Sequence, residues 1–460
     1  MSDMHEAAKQ TLKRLITGTA KWRPNHSSDE PLNSPEGANH PMTSDYSEIS
    51  RCNRCGFCQS VCPTYAETMD ETQVARGRIH LVRLLNNGQY DWRDDKGISE
   101  KVDDCLLCQA CVVNCPATVK TDEIMLAARR DFIEIKGLSL FQKLVYRGAL
   151  SHRERLDRVS TLMRLYESSG ARNLLYLNIL RKSMEKLIYF DSFLPDGLEI
   201  PARESLPTLR RPQGEPKMKV AFFIGCASNI FTARTVRIVV EYLVSRGVEV
   251  HMPKVSCCGE PHRTAGDTAE VARLSKSNVE AIFKPDFDFI VTDCSTCAHA
   301  LAHYDKFVGE DSPEAEIVRP KLPKVLEINT LIRDHLGLEP SQLRELPETK
   351  VTYHDSCHAV RGLGVKDAPR DILKSIPGVE LIEMKGADSC CGGAGSYGFS
   401  HPEMSGRIAS TKVQNIKKTG ASTLAVSCPA CTLQLGAGLR RDGQPTKVLH
   451  PVELLAQASK

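Results

Sequence analysis

Apolar residues follow two different spacings along this chain of 460 residues. From about residue 120 to residue 216 they recur at helical spacing, as in DRVSTLMRLYESSGARNLLYLNILRKSMEKLIYF, which predicts a helical connector. After Pro216, short β-rich runs alternate with helical segments, and four of the runs lead into a cysteine: MKVAFFIGC, FDFIVTDC, KVTYHDSC and STLAVSC. This α/β pattern places cysteines at the carboxyl ends of strands, where open α/β sheets carry their binding sites.

The composition of the chain indicates its cellular compartment. Hydrophobic residues make up 41% of the chain, and 60 Lys and Arg against 57 Asp and Glu leave a net charge of +3. The sequence has no apolar run of 18 residues and no secretion signal, so we expect a cytoplasmic protein. In a reducing compartment its 18 cysteines indicate metal or redox chemistry instead of disulfides. Nucleic-acid binding has no support, because no long basic run or stacking motif occurs.

Eight cysteines form two copies of the run C-x2-C-x2-C-x3-C-P, at Cys52, Cys55, Cys58 and Cys62, and at Cys105, Cys108, Cys111 and Cys115. This is the bacterial ferredoxin run, in which the fourth cysteine of each run ligates the other cluster. We therefore expect two [4Fe–4S] cubanes, one on Cys52, Cys55, Cys58 and Cys115 and the second on Cys105, Cys108, Cys111 and Cys62. Zinc is the alternative metal, but its sites use CxxC pairs separated by longer stretches.

The other ten cysteines belong to an internal duplication. The first unit has Cys226, Cys257, Cys258, Cys294 and Cys297, and the second has Cys357, Cys390, Cys391, Cys428 and Cys431. The flanking segments VSCCGEP and DSCCGGA match, as do KVLEINTLI and KVLHPVELL, so two homologous modules are the simplest interpretation. Adjacent cysteines suit a cluster of unusual shape or a site for a substrate sulfur. Gly259 and Gly392 follow the pairs and predict a tight turn.

Four histidines lie near these cysteines in the sequence: His262, His299, His354 and His358. For each of them a surface or capping role is the simpler interpretation. His354 and His358 flank Cys357, so these two would be the proton carriers if the site has one.

The whole arrangement resembles the iron–sulfur subunits of glycolate and D-lactate oxidases, and also the catalytic subunit of heterodisulfide reductase. The stretches CNRCGFCQSVCPTY, ARGRIHL, SCCGGAGSYGFSHPEM and KVLHPVELLAQA look most like the glycolate oxidase type. The resemblance covers about residues 47–457. It implies one or two noncubane [4Fe–4S] clusters, each on the five cysteines of one module. Subunits of the glycolate oxidase type often lack part of a module's cysteine set, whereas this chain keeps both sets whole.

The expected architecture is multidomain, combining α+β and α/β parts. We expect an N-terminal arm and linker (1–46, with a basic amphipathic helix at 1–22), an α-helical ferredoxin domain with two clusters (47–135), a helical connector (136–216), and two duplicated α/β modules (217–340 and 341–460). Between residues 140 and 190 the connector has ten Lys and Arg against four acids. This is either the solvated face of a packed connector or a docking surface for an acidic partner or an anionic membrane.

The chain shows no nucleotide-binding signature of its own, since FFIGCASN lacks the GxGxxG loop and no Walker motif occurs. The leading hypothesis is an electron-transfer subunit that needs a separate FAD-binding oxidase subunit. It would pass electrons to a quinone or another acceptor and could reach the cytoplasmic membrane peripherally through a partner. The alternative is a thiol–disulfide reductase of the heterodisulfide reductase kind. A third class is a scaffold whose metals are structural.

Overall fold

The computed structural model describes residues 47–172 and 184–459. The predicted N-terminal helix and arm, and residues 173–183 of the connector, lie outside the described residues.

The N-terminal part is helical around a small apolar core. Its helices are α1 (Pro63–Thr68), α2 (Ala75–Asn86), α3 (Ile98–Asp103), α4 (Ala110–Val113) and α5 (Thr121–Lys136). Short 3₁₀ turns lie at Ser47–Arg51, Gln59–Val61 and Glu71–Gln73. Ile79 and Val82 of α2 pack against Met125 and Phe132 of α5, and each of the four side chains is at most 5% exposed. Burial of such a stripe at i, i+3 and i+7 spacing holds the two long helices together.

The connector continues in helices and packs partly through its charged residues. It contains α6 (Leu140–Gln142), which runs into a π-helical segment (Lys143–Leu150), then α7 (Arg153–Ser168), α8 (Glu185–Asp191) and α9 (Ala202–Ser205). Arg147 donates two hydrogen bonds to the buried carboxylate of Asp267, at 2.7 and 2.8 Å. Arg172 pairs with Asp191. These two cations of the predicted basic face are therefore engaged within the protein, and the docking surface stays a prediction.

The first sheet has the strand order β1-β3-β2-β4-β5. Its strands are β1 (Leu209–Arg210), β2 (Met218–Phe222), β3 (Val248–His251), β4 (Phe289–Thr292) and β5 (Val325–Glu327). All neighbours are parallel except β1, which is antiparallel to β3. The helices are α10 (Cys226–Phe231), α11 (Ala233–Ser245), α12 (Glu260–Thr264), α13 (Thr268–Asn278), α14 (Ser295–Ala302), α15 (Tyr304–Val308), α16 (Pro313–Val318) and α17 (Ile328–Leu331). The sheet thus begins at β1, ahead of the predicted boundary at 217, because a two-residue strand has no periodicity to detect.

The second sheet repeats this topology with the order β7-β6-β8-β9, and all its neighbours are parallel. Its strands are β6 (Thr349–His354), β7 (Val379–Leu381), β8 (Thr423–Val426) and β9 (Lys447–Leu449). Its helices are α18 (Asp367–Ser375), α19 (Tyr397–Ser400), α20 (Pro402–Lys417), α21 (Pro429–Arg441) and α22 (Pro451–Ala458). Strands β7, β6, β8 and β9 take the places of β3, β2, β4 and β5. The duplication seen in the cysteine spacing is therefore also a duplication of topology.

The two modules share one hydrophobic core. Val236 and Leu243 of α11 belong to the same buried cluster as Val452 and Leu455 of α22, and all four are at most 1% exposed. Across the same boundary the Thr235 hydroxyl donates a hydrogen bond to a Glu453 carboxylate oxygen at 2.8 Å. A shared core fixes the relative position of the two sheets, because separating them would expose this apolar surface. None of the helices in residues 47–172 and 184–459 is long and apolar enough to span a bilayer.

Candidate metal centres

The two ferredoxin runs have the same backbone conformation around their second cysteine. In each run the residues on both sides of the second cysteine have a positive φ: Arg54 (53°) and Gly56 (92°) around Cys55, and Leu107 (51°) and Gln109 (60°) around Cys108. Left-handed backbone is costly for residues other than glycine and persists where the surrounding structure requires it. The repeated turn therefore indicates that both runs are shaped for the same purpose.

The fourth cysteine of the first run lies with the second run. One pocket is lined by Cys62 together with Cys105, Cys108 and Cys111. The Cys62 sulfur is 3.3 Å from the hydroxyl of Thr64, which lines the same pocket, and 3.4 Å from the Gln73 carbonyl oxygen. The chain thus brings together the four thiols that the crossed pairing assigns to one cubane.

The end of the second run approaches the first run in the reciprocal way. The amide of Asn114, the residue before Cys115, donates a hydrogen bond to the Phe57 carbonyl at 2.7 Å. Arg51 donates another to the Thr118 hydroxyl, also at 2.7 Å. Cys52 and Cys115 both pack against the N-terminal core. These contacts place Cys115 beside the run of Cys52, Cys55 and Cys58.

In both modules the cysteines follow the carboxyl ends of the central strands. Cys226 and Cys294 come after β2 and β4, and Cys357 and Cys428 come after β6 and β8. Each pair of strands lies where the sheet order reverses, which is the crevice that open α/β sheets use for ligands. The cysteine pairs after β3 and β7 close each set, at Cys257-Cys258 and Cys390-Cys391.

The tight turn predicted after each cysteine pair is confirmed. Gly259 has φ +98° and Gly392 has φ +83°, in the region that favours glycine. The Gly259 amide points at the Cys257 sulfur from 3.5 Å, and the Gly392 amide points at the Cys390 sulfur from 3.4 Å. A Cβ at Gly392 would lie 2.9 Å from the Ser405 carbonyl oxygen. The missing side chain is what allows the backbone amide to reach the sulfur.

The ten thiols of the two modules form one continuous series. Each thiol lies close enough to the next to shift its pKa, and the two sulfurs at the start of the series, those of Cys226 and Cys257, are 3.9 Å apart. The order is Cys226, Cys257, Cys258, Cys297, Cys294, Cys428, Cys431, Cys391, Cys390 and Cys357. The second half repeats the first in reverse, so the two cysteine sets meet at Cys294 and Cys428. Two complete sets of soft ligands therefore lie side by side across the module boundary.

The second cysteine of each pair has pronounced thiolate character. Hydrogen bonds from Cys257 and Cys297 lower the pKa of Cys258 to about 6. Hydrogen bonds from Cys390 and Cys431 likewise lower the pKa of Cys391 well below its usual range. Thiolate is the form that binds metal, so both modules are electrostatically prepared for a ligand at the equivalent position.

The second ferredoxin run contacts the second module directly. Cys108 and Cys357 both pack against one small apolar cluster that includes Leu106 and Cys390. Arg361 lies between them and donates a hydrogen bond to the Cys108 carbonyl oxygen at 3.4 Å. Although burial opposes it, the neighbouring Cys357 and Cys108 thiolates raise the pKa of this guanidinium. A fixed positive charge therefore lies between the two cysteine sets, where it offsets their negative charge.

The expected surface or capping role is wrong for His262, His299 and His354. His262 and His354 are fully buried, and His299 is 7% exposed, because the two modules and the connector close over them. His299 stacks on the half-buried His358 at 4.7 Å between ring centroids. The Nδ1 atom of His358 lies 3.1 Å from the Thr296 hydroxyl, which in turn lies 3.4 Å from the Cys428 sulfur.

A cleft of about 500 Å³ opens beside the point where the cysteine sets meet. Its lining includes Cys428, Asp293, His450 and Glu453. Burial raises the pKa of Asp293 to about 7. No sequence motif points to Asp293, His450 or Arg361 as residues of these sites. Local motifs cannot identify a residue whose neighbours come from another domain.

Known protein families and proteins match both the ferredoxin part and the two modules of this chain. The family model described as a cysteine-rich domain, CCG, matches residues 220–302 and 351–436, and the model of a 4Fe-4S dicluster domain matches residues 48–119. A probable glycolate oxidase iron–sulfur subunit of Bacillus subtilis is 31% identical over 424 residues, covering 90% of this chain and 95% of that protein. Lactate utilization protein A of Oceanobacillus iheyensis is 33% identical over 239 residues, covering 52% of this chain and 96% of that protein. A solved structure of a hypothetical protein from Helicobacter pylori superposes with a TM-score of 0.47 at 10% identity, covering 90% of this chain and 73% of that one.

The dicluster part followed by two cysteine-rich repeats defines an iron–sulfur oxidoreductase component. Within that class, the chain belongs to the family of the glycolate oxidase iron–sulfur subunit.

Proposed function

We propose that this chain is the electron-transfer subunit of an FAD-linked 2-hydroxyacid oxidase or dehydrogenase, acting on glycolate or D-lactate. It takes electrons from a flavoprotein partner and delivers them to a quinone or another acceptor. The observation that supports this most is the packing of Cys108 and Cys357 against one apolar cluster, because it brings the ferredoxin cysteines close to the series of ten thiols in the modules.

The proposed ligand sets use all 18 cysteines. One cubane is held by Cys52, Cys55, Cys58 and Cys115, and a second by Cys105, Cys108, Cys111 and Cys62. Module 1 holds a noncubane cluster on Cys226, Cys257, Cys258, Cys294 and Cys297, and module 2 holds one on Cys357, Cys390, Cys391, Cys428 and Cys431. Bound there, the clusters supply one-electron transfer at potentials set by their surroundings. The shared pocket of Cys62 and the second run supports the crossed assignment, and the unbroken thiol series supports two adjacent module sites.

The surface around Cys55 is the proposed docking site for the flavoprotein. Cys55 is exposed, whereas the cysteines of the second run are more enclosed. Phe57 (60% exposed) and Val113 (68% exposed) flank the first cysteine set. Exposed apolar side chains grouped around a redox site are typical of a protein contact. Arg54 and Arg83 add positive charge at its edge, and together with burial they lower the pKa of the nearby His80. We therefore expect an apolar partner surface with an acidic rim.

A thiol–disulfide reductase remains the second candidate function. The observation that favours it is the contact of Cys294 with Cys428, next to a cleft of about 500 Å³, since a disulfide could enter there and meet both modules. Both modules also keep the complete five-cysteine set.

Anaerobic reduction followed by EPR separates the two functions. The isolated chain, free of flavin, should not be reduced by glycolate or D-lactate, because hydride removal needs a two-electron acceptor such as a flavin. Addition of the cognate flavoprotein should allow reduction. Rapid reduction of the lone chain by a hydroxyacid would exclude the proposed subunit role. Reduction of disulfides, without hydroxyacid activity in any complex, would favour the second candidate.

A further inference from the structure

His354 is a fully buried histidine without a well-formed hydrogen bond. It is the last residue of β6, three residues before Cys357, and its side chain is 0% exposed. Neither ring nitrogen makes a well-formed hydrogen bond among the described residues, although the Ala387 backbone lies within interaction distance of the ring. An imidazole carries one donor and one acceptor when neutral, and buried groups of this kind are almost always paired. Since the Ala387 backbone can pair with only one ring nitrogen, the other nitrogen lacks a partner from the described polypeptide.

The ring lies where a metal ligand would lie. One nitrogen of His354 and the sulfurs of Cys391 and Cys431 are all within 4.8 Å of one another. Two atoms that ligate the same metal ion, each roughly 2.0–2.3 Å from it, are at most about 4.6 Å apart. The three atoms are thus spaced almost as they would be around one metal, and a mixed set of imidazole and thiolate ligands suits iron.

The duplicated module provides an internal comparison. The residue equivalent to His354 is Phe223, which also lies three residues before the first cysteine of its set, in MKVAFFIGC against KVTYHDSC. Phe223 is equally buried, at 0% exposure, and has no atom that can bind a metal. The nitrogen donor is therefore a property of module 2 alone, and the space it occupies accepts an apolar ring in module 1.

The two modules also differ in the side chain that hydrogen-bonds to the backbone near the cysteine pair. In module 1, the Asn278 side chain donates a hydrogen bond to the Cys257 carbonyl oxygen at 2.9 Å. In module 2, the buried Lys412 occupies the corresponding position and donates to the carbonyl oxygens of Gly386, Ala387 and Ser389, just before the cysteine pair. An ammonium replaces a neutral amide, so the surroundings of the second cysteine set are more positive than those of the first.

We propose that His354 is a nitrogen ligand of the cluster in module 2, at the iron bound through Cys391 or Cys431, while module 1 has sulfur ligands only. This rests on the proposed function in one respect, namely that module 2 holds an iron–sulfur cluster. The imidazole is neutral where a further thiolate would be charged, and histidine in place of cysteine raises the potential of Rieske centres. The two duplicated sites therefore differ in ligation, and the positive charge of the buried Lys412 makes the site of module 2 the more readily reduced.

Pulsed EPR of the reduced full-length protein tests this ligand directly. The module 2 signal, identified by its loss in Cys391→Ser, should show the strong ¹⁴N hyperfine coupling of a bound imidazole, and ¹⁵N-histidine labelling should replace it with a ¹⁵N pattern. His354→Phe introduces the residue that module 1 carries, and should abolish the coupling. His354→Cys should remove the coupling and lower the midpoint potential. His299→Gln, another buried histidine near the module boundary, should leave the coupling unchanged.

The outcomes separate this proposal from the proposed function. A module 2 signal that lacks nitrogen coupling, or has only the weak coupling of a hydrogen bond, would show that His354 is not a ligand. The presence of that signal would still support an iron–sulfur cluster in module 2. A reconstituted wild-type protein without any iron–sulfur signal from module 2 would overturn the cluster itself, and with it the premise. In the converse experiment, Phe223→His should give module 1 a nitrogen-coupled signal, because the two sites are equivalent in topology.

Discussion

The thiols of Cys294 and Cys428 lie close enough to shift each other's pKa, although one follows a strand of the first sheet and the other follows a strand of the second. They occupy equivalent positions in the two modules, so the two cysteine sets meet through the same member. Their proximity turns two separate sets of five cysteines into a single array.

The first prediction concerns metal content. If every cysteine set is filled, anaerobically reconstituted protein should contain about 16 iron atoms per chain, four for each cluster. Iron and acid-labile sulfide analysis, with the charge-transfer absorbance of the sample, measures this. A zinc content near four, in a colourless protein, would contradict the cluster assignment.

The second prediction concerns the crossed ligation in the ferredoxin part. Cys62→Ser should perturb the cluster of Cys105, Cys108 and Cys111, because Cys62 lines their pocket, and should leave the other cubane intact. EPR of the two cubanes, with iron analysis, should show a loss of up to about four iron atoms. Cys115→Ser is the matched control and should give the reciprocal result. If each substitution affected only the cluster of its own run, the crossed arrangement would be wrong.

The third prediction concerns the docking surface around Cys55. Val113→Asp places a carboxylate on the exposed apolar surface and should weaken binding of the flavoprotein by about tenfold or more, since a central contact is commonly worth about 1–2 kcal/mol. Binding titrations and the rate of hydroxyacid-dependent cluster reduction measure the effect, while the EPR spectrum of the chemically reduced protein should not change. The control is Leu140→Asp, at a position 84% exposed on the connector. Equal weakening by both variants would argue against a docking site at this surface.

The fourth prediction concerns a buried ion pair that supports β6 and its cysteine. Arg370 donates to both carboxylate oxygens of Asp355 at 2.8 Å, and Asp355 is only 2% exposed. Arg370→Ala would leave that carboxylate buried without its partner, so we expect the free energy of unfolding to fall by about 3–5 kcal/mol.

Chemical denaturation of the holoprotein, compared with that of the wild type, measures this loss. In the control Arg407→Ala, the partner Glu403 is 82% exposed, and the loss should be at most about 1 kcal/mol. A similar small loss in both variants would show that the Arg370–Asp355 pair does not hold the loop before Cys357.

The sequence by itself determined the pattern of candidate ligands, since ligand spacing and strand-to-cysteine order are local properties. The two ferredoxin runs, the five-cysteine repeat and the glycine turns at Gly259 and Gly392 were all readable from neighbouring residues, and the family comparison supports the same class of protein. The duplication was readable too, because two copies of one pattern reinforce each other.

Tertiary structure alone decided how these pieces meet. The packing of Cys108 and Cys357 against one cluster, the meeting of Cys294 with Cys428, and the burial of His354 all depend on elements far apart in the chain. A pattern of neighbouring residues carries no information about which side chain another domain will cover, and burial is what changes a histidine from a surface group into a candidate ligand. The physical reason is that packing and desolvation act between residues that are close in space, whatever their separation in sequence.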